Sequence, residues 1–563
     1  MNATTGNGVP LWNQPVLVRL RPYSHSRFQP YLLALIWLVG TARTHAQVRC
    51  AERLNFAPVA VPNRVEWGKF PAFTLPDSFT LIYGGPRLAG DQNGPNTHGF
   101  SRLTQPLAGE PTGRTSRALE YAGFAFGLNQ PWETLESPWG NDLNLYRAKW
   151  DAWLREQAGG QTNAAGQFVL PTDILMVDIE RQIDTDAGIL RLKQNPDTPA
   201  AYRALPDAAF IRTYKKDMVA LYAYGLQYLR QRADLRQVRV GTYSDVPIRN
   251  TYLNVVANTW QDWTTNVARL SYLTADSTGT RPGGAFYDQL DFLAPSVYYY
   301  YAYDPARPSP LAGDFLAYTL FQIEANRAWS QKPVVPFVWM RFHNCCGSYP
   351  AFIQPQMAEA AAIFPFFAGA NGLWLWDELA LATTRQDVHA AYEHFIHGLY
   401  RLSQFKGQFA GTYELVAETN ARDLMNGQLP VWRGVFANNK LLVAAHNPYA
   451  AEGQQTTVPL RYKSWQGTLT LTGREVALCE YDLSLLATEP APLPTLTVFP
   501  NPACHTVTVA TSQPGEVLLI DLKGRVLRQF SNTTSPLVID ISTLPAGLYL
   551  VRCGGVSKQL IIL

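Results

Sequence analysis

The chain has few cysteines for its size, no long apolar run and almost no net charge, and each shortage removes a class of protein. Its six cysteines, Cys50, Cys345, Cys346, Cys479, Cys504 and Cys553, are spread over 563 residues. None stands at CxxC spacing, which argues against a structural zinc site, and no cluster of ligands calls for a cofactor or metal. Charged residues make up 16% of the chain and nearly cancel, leaving a formal net charge of +3. That balance gives neither the basic stripe of a nucleic-acid-binding protein nor an acidic tail. The apolar run from Tyr31 to Gly40 holds about ten residues where a spanning helix needs about 20. No later run is long enough either, so no membrane-spanning segment is expected.

What is there begins with that same short run. Arg19, Arg21 and Arg27 precede it and Thr44-His45-Ala46 follows it. This is the layout of a secretory signal peptide over residues 1–46, with cleavage expected after Ala46. Aromatic residues are abundant at 12%, with 15 Trp and 28 Tyr, and flat rings beside polar groups suit the apolar faces of sugars.

The length exceeds one compact core and implies several domains. Over residues 50–400, strand-like runs alternate with helical ones. The strands are read at Phe79–Tyr83, Phe124–Leu128, Ile174–Glu180, Val238–Tyr243, Phe292–Tyr298, Val334–Met340 and Gly372–Trp376. Between them, Asp207–Arg232 carries Met218, Leu221, Tyr222, Tyr224 and Leu229 at helical spacing. Strand and helix in alternation mean parallel strands with crossover helices, and the length suits an α/β fold of the TIM-like (β/α) barrel type. In such barrels the site forms at the carboxyl ends of the strands. Asp178 with Glu180, Tyr243 with Asp245, Tyr298 to Tyr301, Arg341 with His343, and Trp376 with Asp377 and Glu378 all fall there.

The stretch Asp173-Ile174-Leu175-Met176-Val177-Asp178-Ile179-Glu180 carries the chemistry of this reading. A strand period of two puts Asp178 and Glu180 on one side, with Cα atoms about 6.6 Å apart. Two carboxylates that close cannot both ionise freely, so one is expected to titrate high enough to act as a general acid. The plainer alternative is a strand-end pair that caps the next helix or binds an arginine.

Residues 402–486 change to short alternating runs and read as a small β domain of sandwich type, either binding carbohydrate or packed as a lid on the barrel. A proline-spaced linker follows at residues 487–495. Residues 496–563 read as a second all-β unit. Val498-Phe499-Pro500-Asn501-Pro502, Asp521-Leu522-Lys523-Gly524-Arg525-Val526 and Leu544-Pro545-Ala546-Gly547-Leu548-Tyr549 give it a resemblance to the C-terminal sorting domain of the bacterial type IX secretion system. Gly524 and Gly547 fit tight turns. The resemblance implies passage through the type IX machinery and a secreted or surface-attached protein. Cys504 and Cys553 can pair within this unit under oxidising conditions, whereas the adjacent Cys345 and Cys346 are expected to bond elsewhere or stay free.

The barrel resembles the hyaluronidase family of glycoside hydrolases. Asp178-Ile179-Glu180 is similar to the family's Asp-x-Glu acid motif, with Ile179 where the family usually has Trp. Ala294-Pro295-Ser296-Val297-Tyr298, Pro336 to Arg341 and Gly369-Ala370-Asn371-Gly372-Leu373-Trp374-Leu375-Trp376 are similar to its later strands. The resemblance implies a polysaccharide substrate, with Glu180 as proton donor and Asp178 orienting the substrate's own N-acetyl group, which attacks in place of an enzyme nucleophile. It implies Tyr298 and Tyr243 as hydrogen-bonding partners, Trp376 as the floor under a sugar ring, and Arg341 as a binder of a substrate carboxylate or a support for the acids. Two other readings stand beside it. One is a two-carboxylate retaining glycosidase with Asp377 or Glu378 as nucleophile, and the other is a noncatalytic glycan-binding surface protein.

Overall fold

The computed structural model describes residues 48–88, 92–121, 137–139, 142–179, 181, 185–249, 252–307, 309–378, 385–484, 496–511, 515–533, 536–553 and 556–563. The expected signal peptide, the strand expected at Phe124–Leu128, Glu180 and the linker at residues 487–495 lie outside them.

After a short strand β1 (Val48–Cys50) come eight parallel strands among the described residues. They are β2 (Thr80–Gly84), β3 (Arg102–Leu103), β4 (Ala118–Tyr121), β5 (Ile174–Asp178), β6 (Arg239–Tyr243), β7 (Phe292–Ala294), β8 (Phe337–Trp339) and β9 (Gly372–Trp376). They form two four-stranded sheets, in the orders β3-β2-β9-β8 and β4-β5-β6-β7. Isolated parallel bridges join the sheets on both sides, from Leu103 to Arg117, and from Leu293 to Val334 and Ser296 to Phe337. Helices Leu143–Gln157, Asp207–Arg232, Pro310–Trp329, Pro355–Phe367 and Ala390–Ser403 lie along the chain between or after the strands.

These strands are apolar because both of their faces are buried. On β5, Leu175 and Val177, with Ile179 just beyond, belong to the core shared with the helices, while Ile174 and Met176 join an inner cluster with Phe292, Phe337 and Trp374. Gly241 of β6 is needed inside, because a Cβ there would come within 2.3 Å of the Phe292 ring. Helix starts follow the usual capping chemistry: Asp142 accepts from the Asn144 and Leu145 amides, and Pro310 and Pro355 occupy first-turn positions where a missing N–H costs nothing.

The second unit contains β10 (Glu414–Val416), β11 (Val431–Ala437), β12 (Lys440–His446), β13 (Gln455–Tyr462), β14 (Trp465–Thr472) and β15 (Val476–Asp482). Its antiparallel sheet runs β1-β15-β12-β11-β10, with β13 and β14 as a separate hairpin. The sheet therefore borrows β1 from the start of the described chain, and Cys50, opposite Cys479 in the register, is disulfide-bonded to it. The expected pairing of Cys504 with Cys553 is corrected: both are unbonded, Cys504 exposed and Cys553 packed into the core of its own unit. The sheet is packed on the helices that flank the parallel strands. Val431, Val435, Leu442 and Ala444 merge with the core under the helices. Arg433 Nε donates to Glu324 Oε1 at 2.6 Å, and the Tyr449 hydroxyl donates to Asp314 at 2.7 Å, both acids on helix Pro310–Trp329. The sheet buttresses the helical flank.

The C-terminal unit holds β16 (Leu496–Phe499), β17 (Thr506–Thr511), β18 (Gly515–Asp521), β19 (Val526–Thr533), β20 (Leu537–Asp540), β21 (Gly547–Cys553) and β22 (Val556–Ile562). They form sheets β16-β17-β20 and β19-β18-β21-β22, sharing a core that includes Val507, Val517, Leu519, Ile539, Val551 and Leu560. Gly524 has φ of 80° in the turn between β18 and β19, as a tight turn there requires. Gly547 is the first residue of β21, and the preceding turn is closed instead by the Leu544 amide on the Ile541 carbonyl.

Candidate active site

A cavity of about 730 Å³ opens at the carboxyl ends of the parallel strands. Glu120 reaches it from β4, Met176 and Asp178 from β5, and Tyr243 and Ser244 from the end of β6. Ser296 and Tyr298 follow β7, Phe337 and Trp339 come from β8, and Trp376 and Glu378 from the end of β9. Arg181, Arg249 and His343 complete its polar wall. Six neighbouring strands thus send acidic, hydroxyl and aromatic groups to one place. The alternation along β5 explains the local choice: Met176 and Asp178, two apart, share the inward side.

The aromatic wall is built around Tyr298. Its ring lies 6.3 Å from Tyr243 and 6.3 Å from Trp376, near parallel to both, and 5.4 Å edge-on to Trp339. Trp339 meets Trp376 edge-to-face at 4.8 Å. Burial first, then Tyr243, Asp178 and Glu120, push the Tyr298 hydroxyl well above its ordinary value, so it remains a protonated donor at any physiological pH. Trp376 is only partly buried and offers ring surface to the cavity.

Arg341 is different from its neighbours. Its side chain is fully buried and does not line the cavity. Nε donates to Asp377 at 2.9 Å, and Nη1 donates to Asp387 and to the Pro350 carbonyl, each at 3.0 Å. It supports Asp377 and Asp387 rather than reaching a ligand. Asp377 in turn accepts from Trp339 Nε1 at 2.7 Å, the Glu378 amide at 2.8 Å and the Tyr392 hydroxyl at 2.9 Å. Its oxygens are occupied by these donors and its side chain is sealed from solvent, so it is not placed to attack a substrate. Glu378 does line the cavity and accepts from the Tyr349 hydroxyl at 2.7 Å.

Among the groups singled out from sequence, Asp178, Tyr243, Tyr298 and Trp376 come together at the cavity; Glu180 lies outside the described residues. Sequence reasoning missed Glu120, which sits in the short strand Ala118-Leu119-Glu120-Tyr121, and whose signal was an acid inside an apolar run. It also missed the pairing of Arg181 with Asp245. Arg181 Nε and Nη2 donate to the two Asp245 oxygens at 2.8 and 2.6 Å, both side chains fully buried. Burial acts to raise the Asp245 carboxyl, but the Arg181 and Arg249 guanidiniums outweigh it and hold it below the usual range. This pair anchors the turn that carries Ser244, whose φ of 69° is a left-handed value uncommon for a residue with a side chain. The Asp245 amide closes that turn on the Tyr243 carbonyl at 2.8 Å. Residues held in sparsely populated backbone conformations cluster at functional sites. Among the described residues, no three His, Cys, Asp or Glu side chains gather as metal ligands would.

Residues 497–562 match the family of secretion system C-terminal sorting domains. The protein is exported by type IX secretion to the cell surface or beyond, and among the described residues no helix is long and apolar enough to cross a membrane. No curated protein matches the chain by sequence. Among solved structures, bee venom hyaluronidase is similar at 11% identity and a TM-score of 0.36, over 57% of this chain and 99% of its own. A family 30 endoxylanase from Clostridium papyrosolvens is similar at 10% and 0.28, over 75% and 98%. A maltogenic α-amylase from Thermotoga neapolitana is similar at 10% and 0.31, over 72% and 99%. Likeness this slight carries no argument about chemistry, which rests on the site.

Proposed function

We propose that the two parallel sheets close into one (β/α) barrel and that the exported protein is a glycoside hydrolase acting on an N-acetylated polysaccharide. The observation that carries this reading is the meeting of acids and ring faces in one cavity at the strand ends, where Asp178 stands with Tyr243, Tyr298 and Trp376. Barrel enzymes carry their chemistry at that end, and stacked rings beside carboxylates are what a sugar requires. The parallel bridges on both sides of the two sheets support closure.

In this reading Trp376 lies under the sugar ring, and the protonated Tyr298 hydroxyl donates to the substrate's acetamido oxygen. Asp178 holds the acetamido nitrogen so that its carbonyl oxygen attacks the anomeric carbon, and Glu180 protonates the departing glycosidic oxygen. Water then opens the cyclic intermediate with Glu180 acting as base, so configuration is retained. Arg341 has no part in binding and acts through Asp377.

A second reading is favoured by one feature, the carboxylate of Glu378 in the same cavity while Asp377 is committed elsewhere. There Glu378 is the nucleophile of a two-carboxylate retaining enzyme. Digestion of a panel of N-acetylated and unacetylated polysaccharides separates the readings, with reducing ends measured for the parent, Glu180→Gln and Glu378→Gln. Release confined to acetylated substrates, lost in Glu180→Gln and kept in Glu378→Gln, supports the first. Loss in Glu378→Gln with turnover of unacetylated glycans supports the second, and no release by the parent on any glycan points to a noncatalytic binder.

A further inference from the structure

The loop between β8 and helix Pro355–Phe367 carries two adjacent cysteines that the proposed chemistry does not use. The Sγ atoms of Cys345 and Cys346 lie 2.6 Å apart, closer than two unbonded sulfurs pack. Cys345 is exposed and therefore open to an oxidant. The pair sits on the rim of the cavity, directly after the lining residues His343 and Asn344. The Cys345 amide donates to His343 Nδ1 at 3.0 Å, and the His343 ring packs 4.6 Å from Tyr300. On the other side, the Tyr349 amide approaches the Cys346 carbonyl at 3.3 Å, and Tyr349 is the residue that holds Glu378.

Two further observations bear on the redox state of this pair. The protein is exported, and it already contains a disulfide between Cys50 and Cys479, so it matures in oxidising surroundings. The other unbonded cysteines, Cys504 and Cys553, belong to the C-terminal unit, where Cys553 is buried in the core.

We propose that Cys345 and Cys346 close on each other as a vicinal disulfide, an oxidisable ring on the rim of the cavity. The oxidant is a disulfide-bearing protein or small molecule. Cys346 is half-buried and can also be reached, and it opens the exchange. The Cys346 thiolate attacks one sulfur of the oxidant and expels the other as a thiolate, which takes up a proton. Cys345, on losing its proton, attacks the Cys346 sulfur of the mixed disulfide and expels the second thiolate. Two cysteine thiols are thereby oxidised and one oxidant disulfide is reduced to two thiols. The closed ring stiffens the backbone at Cys345 and Cys346, between His343 and Tyr349. Because it joins adjacent residues in a small ring, it is more readily reduced than Cys50–Cys479.

Thiol counting on the full-length protein, purified without reductant and denatured in an alkylating agent, tests this. The peptide carrying Cys345 and Cys346 is expected to stay unlabelled until reduced, and then to take two labels. In a dithiothreitol titration it opens before Cys50–Cys479 does. Cys345→Ser is expected to gain one reactive thiol over the parent, since Cys346 is released. Two labels before reduction, a cross-link from either residue to another cysteine, or a thiol lost in Cys345→Ser overturns the proposal.

Discussion

Replacing Asp377 with alanine separates a structural carboxylate from a catalytic one. Asp377 is sealed from solvent, and its two oxygens accept from Trp339, Arg341, Tyr392 and the Glu378 amide. Alanine removes all four acceptor contacts and leaves the Arg341 guanidinium buried with Asp387 as its remaining acidic partner. Removing one partner of a buried ion pair costs about 3–5 kcal/mol, because the charge left behind is neither solvated nor paired. Asp387 is partly solvent-exposed and already shared with Arg385, so it compensates little, and a loss of about 3 kcal/mol or more is expected. Asp377→Asn keeps the shape and an acceptor for the Trp339 and Glu378 N–H groups but not the charge. It is expected to fall between the parent and Asp377→Ala. Urea unfolding followed by tryptophan fluorescence reads this directly, because Trp339 and Trp376 sit at the network. If Asp377→Ala unfolds within about 0.5 kcal/mol of the parent, the size of an ordinary surface substitution, the account of Arg341 and Asp377 as mutual supports is refuted.

Three further outcomes follow from other parts of the molecule. Burial lowers the His446 imidazole to about 4, below its unfolded value of about 6.5, so the unfolded chain binds a proton that the folded chain refuses over that interval. Stability is therefore full above pH 6.5 and falls by about 3 kcal/mol as pH drops to 4. The difference between the parent and His446→Asn in unfolding at pH 7, 5.5 and 4.5 isolates this slope, and parallel curves would contradict it. Gly241→Ala drives a methyl group into the Phe292 ring and is expected to cost about 1–3 kcal/mol, with Phe292→Leu added to it recovering part of the loss. If the double variant is no better than Gly241→Ala, the clash is not the cause. Deletion of residues 496–563 is expected to keep the protein off the cell surface and out of the medium, which fractionation and immunoblotting check.

Much of the parallel-strand unit was legible because strands buried on both faces must be apolar throughout. Ile174-Leu175-Met176-Val177 and Gly372-Leu373-Trp374-Leu375-Trp376 announce themselves in that way. β3 and β4 did not. One is two residues long, and the other spends an inward position on Glu120, so the polar group that makes it interesting is also what breaks the apolar run. The place of β1 was hidden for another reason: its partner β15 lies more than 400 residues later, and no local pattern encodes a pairing at that distance. The cysteines show the same limit, since Cys50 and Cys479 meet only once the sheet is formed.

The site divides along similar lines. Alternation along a strand tells which side a residue faces, and it brought Asp178 and Met176 to the cavity together. Alternation does not tell how far a long side chain travels after leaving the strand. Arg341 follows Phe337 and Trp339 at the same period, yet its guanidinium turns away to Asp377 and Asp387 while the two shorter-reaching aromatics stay at the cavity. A buried arginine goes where carboxylates can satisfy it, because the cost of an unpaired charge exceeds any preference set by the backbone. The same rule explains why Arg181 lies against Asp245. In this molecule the pairing of buried charges, a property of the assembled fold, takes Arg341 and Asp377 away from the cavity, while Asp178, Glu120 and Glu378 stay there beside the aromatic and hydroxyl groups.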